Sequence, residues 1–164
     1  MSTQALNLFI VDDNQLMVTG LRNYLNKRFD SDLNISIFYN GASLLEKVDK
    51  DTNIVILDYY LEGENGNDIL EAIKRINSST QVIMLSSNEE IATAIDSFRK
   101  GASDYVVKGE KAWKKIASLV YNIITYPVRI MVKEFKVRKY LAIFMLTFII
   151  TGIIVYIALT WMPI

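Results

Sequence analysis

Asn53-Ile-Val-Ile-Leu-Asp58, NIVILD, decides the fold. Its four middle residues are apolar without a break, and the run stops on a carboxylate. A strand with one wet face alternates apolar and polar residues, whereas an unbroken run fits a central parallel strand buried on both sides. Working outward, similar runs stand at Leu6–Val11, Ile35–Tyr39, Val82–Leu85 and Tyr105–Val107. Between them, apolar residues recur at helical spacing. Leu16, Leu21, Leu25 and Phe29 mark the first helix, Leu44, Leu45 and Val48 the second, and Ile69, Leu70, Ile73 and Ile76 the third. Ile91, Ala94, Ile95 and Phe98 mark the fourth, which Gly101 should end as a C′ residue. A fifth begins near Glu110 and runs through Trp113, Ile116, Ala117, Val120 and Ile124. Strands alternating with helices predict a doubly wound α/β fold around a five-stranded parallel sheet.

Each apolar run but one ends in a chemically useful residue. Asp12 and Asp13 follow the first, Asp58 closes the third, Ser86 the fourth and Lys108 the fifth. Open α/β sheets bind ligands outside the carboxyl ends of their strands, so these residues should meet in one crevice. Taken singly, Asp12-Asp13 reads as an ordinary turn, Asp58 as a capping acid, and Ser86 and Lys108 as surface residues. Their joint placement points instead to a site for a divalent cation and a phosphoryl group.

Composition removes several chemistries. With no cysteine and no histidine, the chain can form no disulfide, thiolate site, His-based triad or phosphohistidine. Hard, oxygen-ligated cations remain the plausible metals. Net charge is zero, but residues 1–110 carry −7 and residues 111–139 carry +7. Residues 140–164 carry no charge, and their length suffices for a membrane-spanning helix. Pro127 should kink or interrupt the fifth helix. Arg138 and Lys139 before the run, with Tyr140 and Trp161 near its ends, suit interfacial anchoring. The basic stretch 127–139 is better read as contacting anionic lipid than nucleic acid. Thr147, Thr151 and Gly152 could form a small-residue helix contact, with a lipid-facing role the plainer reading.

FIVDDN (Phe9–Asn14), ILDYYLEGENG (Ile56–Gly66), MLSSN (Met84–Asn88) and DYVVKG (Asp104–Gly109) together resemble the receiver domain of bacterial two-component response regulators. The resemblance covers about residues 5–125 and implies a flavodoxin-like sheet of order 2-1-3-4-5. It implies that Asp58 is the phosphoacceptor. Mg²⁺ would be held by Asp13 and Asp58, by Asp12 largely through water, and by the backbone carbonyl of Tyr60. Lys108 would pair with Asp58 and then with the phosphoryl group. Ser86 would be the switch hydroxyl and Tyr105 the switch aromatic. Three departures stand out. Glu62 and Gly109 replace prolines usual in the family, and Tyr60 and Asn88 occupy positions that tune acyl-phosphate lifetime there.

The resulting expectation has three parts: a receiver domain at 1–126, a basic juxtamembrane segment at 127–139 and a transmembrane helix at 140–164. No output domain is expected after residue 125. The chain would be a single-pass inner-membrane protein with its receiver in the cytoplasm. A sensor histidine kinase or phosphotransfer protein would donate phosphate, and a phosphorylation-dependent protein contact would carry the signal. Its only catalysis would be its own Mg²⁺-dependent phosphorylation and dephosphorylation. The alternatives are a phosphate sink or relay intermediate, and a Mg²⁺-dependent aspartate phosphohydrolase. The latter is disfavoured because Tyr60 stands where such enzymes of the haloacid-dehalogenase type carry a second acid.

Overall fold

The computed structural model describes residues 5–87, 91–135 and 137–161; side chains at 126–142, 158–159 and 161 lie outside the description. It divides into two compact units, Met1–Ile124 and Thr125–Ile164. In the first, β1 (Leu6–Val11), β2 (Leu33–Phe38), β3 (Thr52–Asp58), β6 (Gln81–Ser86) and β7 (Asp104–Val107) form one parallel sheet. Their order is β2-β1-β3-β6-β7, which is 2-1-3-4-5 counting the parallel strands alone. A two-stranded antiparallel hairpin, β4 (Tyr60–Leu61) with β5 (Glu64–Asn65), stands apart from the sheet. The sequence reading did not anticipate it. Gly63 makes its turn possible by adopting φ 76°, and exposed Glu62 occupies the same turn.

The period of two along each strand sorts the core into two layers. Ile54 and Ile56 of β3 face one side with Leu8, Ile10, Ile83 and Leu85. There they meet α1 (Gln15–Phe29) and the first part of α5 (Ala112–Phe135) through Leu21, Leu25, Ile116 and Val120. Val55 and Leu57 face the other side with Val11, Val82 and Met84, against α2 (Gly41–Leu45) and α3 (Gly66–Ile76). All four apolar residues of NIVILD are fully buried, each worth about 1.5–3 kcal/mol of transfer free energy.

Helix periodicity located the helices better than their buried faces. Leu16, expected on the inner face of α1, is 86% exposed. In α4 (Ile91–Arg99), three of the four expected core residues, Ile91, Ile95 and Phe98, lie in solvent; Ser97 is the buried one. The α3–α4 seam is polar instead. Ser97 Oγ donates to Asn67 Oδ1 at 2.8 Å, and Asn67 Nδ2 donates to Asp96 Oδ2 at 2.7 Å. Lys100 pairs with Glu71 at 2.7 Å across the same seam. Gly101 ends α4 at φ 101°, as expected of its place.

Pro127 does not interrupt α5, whose helical backbone continues to Phe135. A proline removes one N–H from the ladder, and the remaining hydrogen bonds of the adjoining turns can carry the helix past it. The second unit contains α6 (Val137–Trp161). Among the described residues, no helix is long and apolar enough to cross a membrane. The expected span at 140–164 is therefore not found among them. The side chains described in α6, at 143–157 and 160, are all exposed.

Candidate functional site

Sheet register brings the four strand ends level. Val11 lies beside Leu57, Asp58 beside Leu85, and Ser86 beside Val107. The Lys108 amide then donates to the Ser86 carbonyl at 2.7 Å, carrying the lysine over the carboxyl edge. Its Nζ lies 2.8 Å from Asp12 Oδ2 and 2.7 Å from Asp58 Oδ2. Asp12 and Asp58 are both buried, so one ammonium joins two carboxylates in a low-dielectric crevice.

The remaining oxygens are held by backbone. Asp12 Oδ1 accepts from the Asn14 amide at 2.9 Å, and the Asn14 side chain caps α1 through the amides of Leu16 and Met17. Asp58 Oδ1 receives a long contact from the Tyr60 amide, at 3.4 Å. Burial, reinforced by the charge of Asp12, pushes the Asp58 carboxyl above its ordinary range, with Lys108 pulling the other way. Burial would lower the Lys108 pKa, but its bonds to Asp12 and Asp58 prevail and raise it.

Asp13, which is exposed, completes an acidic cluster. One oxygen from each of Asp12, Asp13 and Asp58 lies within 4.8 Å of the others. Mg²⁺ takes oxygen ligands at about 2.1 Å, so opposite ligands stand about 4.2 Å apart, and a small approach of the three donors would close them on that cation. Ser86 is fully buried and Tyr105 nearly so. The Tyr105 phenol hydrogen-bonds the Ser86 hydroxyl, and burial raises its pKa. Asp12, Asp13, Asp58, Ser86, Tyr105 and Lys108 thus share one end of the sheet. Tyr60 borders it, 57% exposed and edge-on to Tyr59, with ring centroids 4.7 Å apart. Asn88 falls outside the described residues.

Two residues that support the site escaped the sequence reading. A Cβ on Gly66 would lie 2.6 Å from the Asp58 carbonyl oxygen and 2.8 Å from Tyr59 Cα, so no side chain fits there. The Gly66 amide meanwhile donates to the Tyr59 carbonyl at 2.8 Å. Asn67, buried one residue later, ties the start of α3 to α4. The Asn65-Gly66 pair did carry a signal, since Asn65 caps α3 by accepting from the Asn67 amide at 2.9 Å.

A doubly wound parallel sheet with carboxylates and an ammonium at its carboxyl edge defines an α/β protein built to hold a cation and an anionic group. Residues 8–119 match the response regulator receiver domain, and the chain belongs to that family. Chemotaxis protein CheY of Listeria monocytogenes is 32% identical over 116 residues, covering 70% of this chain and 95% of its own. Transcriptional regulatory protein DcuR of Escherichia coli K12 is 30% identical over 110 residues, covering 63% of this chain and 44% of its own. The chain thus spans less than half the length of that regulator. Among solved structures, the BeF3-activated DrrB receiver domain has a TM-score of 0.63 at 22% identity, covering 73% of this chain and 97% of its own. A Burkholderia pseudomallei response regulator, crystallised with a phosphorylated aspartic acid, a calcium ion and citrate, has a TM-score of 0.62 at 19% identity. It covers 76% of this chain and 72% of its own, and at such identities the likeness concerns the fold.

Proposed function

We propose that this chain is a membrane-tethered receiver that accepts a phosphoryl group on Asp58 from a sensor histidine kinase or a phosphotransfer protein. The observation that carries the reading is the pair of hydrogen bonds from one ammonium, Lys108, to Asp12 and Asp58 beside a third carboxylate. In the transfer, an Asp58 carboxylate oxygen attacks phosphorus in line with the donor's phosphorus–nitrogen bond. That bond breaks, the imidazole leaves with the electron pair, and an acyl phosphate forms on Asp58. Lys108 would move from carboxylate to phosphoryl oxygen, keeping a positive charge beside the transferring group. Asp12, Asp13, Asp58 and the Tyr60 carbonyl would hold Mg²⁺, which when bound orients the phosphoryl group and neutralises its charge.

Ser86 and Tyr105 would report the new charge. The Ser86 hydroxyl would turn to a phosphoryl oxygen and change its contact with Tyr105, which would couple the site to packing beneath α4. The exposed Ile91, Ile95 and Phe98 support a protein partner at α4 as the output. Catalysis would be limited to the chain's own phosphorylation and dephosphorylation.

The tether rests on sequence: the uncharged run 140–164 and the bases just before it. The exposed apolar side chains at Ile143, Phe144, Phe148 and Ile154 are in keeping with a lipid surroundings. It would place the receiver on the cytoplasmic side of the inner membrane.

The test incubates the full chain and an Asp58→Ala variant with a small phosphodonor and Mg²⁺, read by intact mass. Only the parent should gain one phosphoryl group. Equal labelling of both, or of neither, would overturn the acceptor assignment. Fractionation of the full chain against a truncation after Thr125 tests the tether, which fails if both partition alike.

A further inference from the structure

Among the described residues, one edge strand of the sheet carries neither charge, proline nor bulge. β2 (LNISIF) has six residues with no charge and no proline, and it pairs with β1 without a bulge. Unpaired strand edges are normally blunted by such devices. The opposite edge strand, β7, shows the contrast: it has four residues, includes Asp104 and runs into Lys108. Alongside β2 lies a groove of about 430 Å³. Ile35 and Ile37 line it on one face of the sheet, and Phe38 with Phe9 of β1 on the other, where the Phe9 and Phe38 rings meet edge to face at 5.1 Å. Arg22 of α1 and Lys47, just past α2, flank the groove. α1 and α2 pack on opposite faces of the sheet, so each face contributes one cation. Neither cation makes an ion pair among the described residues. They stand out in a stretch, residues 1–110, whose net charge is −7.

We infer that the β2 edge binds an extended acidic peptide from a partner protein as an added strand. Backbone groups on the outer side of β2 would supply the ladder, and alternate side chains would supply selectivity. Neighbouring residues of a strand point to opposite faces. Two consecutive acids in the incoming segment would therefore reach Arg22 on one face and Lys47 on the other, with apolar flanks covering Ile35, Ile37 and Phe38. A second copy of this chain is the poorer occupant, since a two-fold pairing of β2 edges would bring like cations together. The groove lies outside the Asp58 crevice, so this binding is separate from phosphoryl transfer.

The test uses the full chain in mild detergent and a labelled heptapeptide of valine and threonine with two central glutamates. Saturable binding should come with slowed hydrogen exchange at the β2 amides. The double variant Arg22→Glu with Lys47→Glu should weaken binding by about tenfold, since each exposed pair contributes modestly. A peptide with lysines in place of the glutamates should not compete, and an Asp58→Ala variant should bind as the parent does. Several results would overturn the inference: no saturable binding at millimolar peptide, unchanged affinity in the double variant, or protection confined to α4 or α5. So would protection of β2 without peptide in a particle of doubled mass, which would assign the edge to self-association.

Discussion

The Lys108 ammonium sits 2.7 Å from Asp58 Oδ2 while holding Asp12 Oδ2 at 2.8 Å. One cation therefore relieves two buried carboxylates. Removing it by Lys108→Ala leaves both without their ammonium, which should cost about 1–3 kcal/mol of stability, read by denaturant unfolding. The same change takes away the positive charge that the proposed transfer would set against the incoming phosphoryl group. Loss of one such group typically slows reaction about a hundredfold or more, so Asp58 labelling by a small phosphodonor should fall by that order. Unaltered labelling kinetics would show that Lys108 is structural only.

Asp58 should destabilise the fold at neutral pH when no divalent cation is present. Its pKa is raised by burial, with Asp12 adding to this against Lys108, so between the ordinary aspartate value and the folded-state one the folded protein holds a proton that the unfolded chain has released. The cost of the ionised group is present above the folded-state pKa and disappears as pH falls through it. An Asp58→Asn variant should therefore melt a few degrees higher than the parent near pH 7, with the gap closing toward pH 4. Lys108 acts in the opposite range. Its raised pKa makes its contribution complete below the ordinary lysine value and lost as pH climbs through the folded one. Added Mg²⁺ should narrow the neutral-pH gap by binding the parent's folded state. A gap that widens on acidification contradicts this account.

Gly66→Ala tests the floor under the acceptor. Its Cβ would press on the Asp58 carbonyl oxygen and on Tyr59 Cα, both backbone atoms with little freedom to yield. Overpacking of this kind costs about 1–3 kcal/mol. Slower labelling of Asp58 should accompany the loss, because β3 ends there. A fully stable, normally labelled variant would mean that the loop shifts freely.

Tyr60→Asn tests the lifetime of the acyl phosphate. Tyr60 is exposed and stacks edge-on against Tyr59 next to the acceptor, where a ring can obstruct an attacking water. The variant should lose phosphate faster than the parent, measured by the decay of the labelled mass after the donor is removed. An equal or slower decay counts against a shielding role.

The sheet and the crevice could be read from the sequence for the same reason. Residues such as Ile54–Leu57 are apolar on both faces only at a sheet's centre, and strand ends in a parallel sheet must converge. The hairpin at Tyr60–Asn65 was hidden because two-residue strands leave no periodicity, and Gly63 alone marked its turn. α4 misled for a different reason. Its apolar stripe has helical spacing, but spacing says nothing about what covers a stripe, and here the buried position went to Ser97. Gly66 stands in a legible motif, but its role is hidden in the sequence because the clash it avoids is with backbone that folding brings near.

The α3–α4 seam should behave as a polar clasp. Ser97 is fully buried and donates to Asn67 Oδ1, while Asn67 donates to Asp96. Ser97→Ala removes the donor and leaves a buried amide oxygen unsatisfied, a change worth about 1–3 kcal/mol. Ile91, Ile95 and Phe98 stay exposed, so the buried Ser97 is a main tie of α4 to its neighbours among the described residues. The loss should therefore appear as local opening, with faster amide exchange across α4 and unchanged exchange in β1, β3 and β6. Asn67→Ala should produce the same pattern, since it breaks both bonds at once. If instead every element exchanges faster together, α4 unfolds only with the whole domain, and the seam has no independent role.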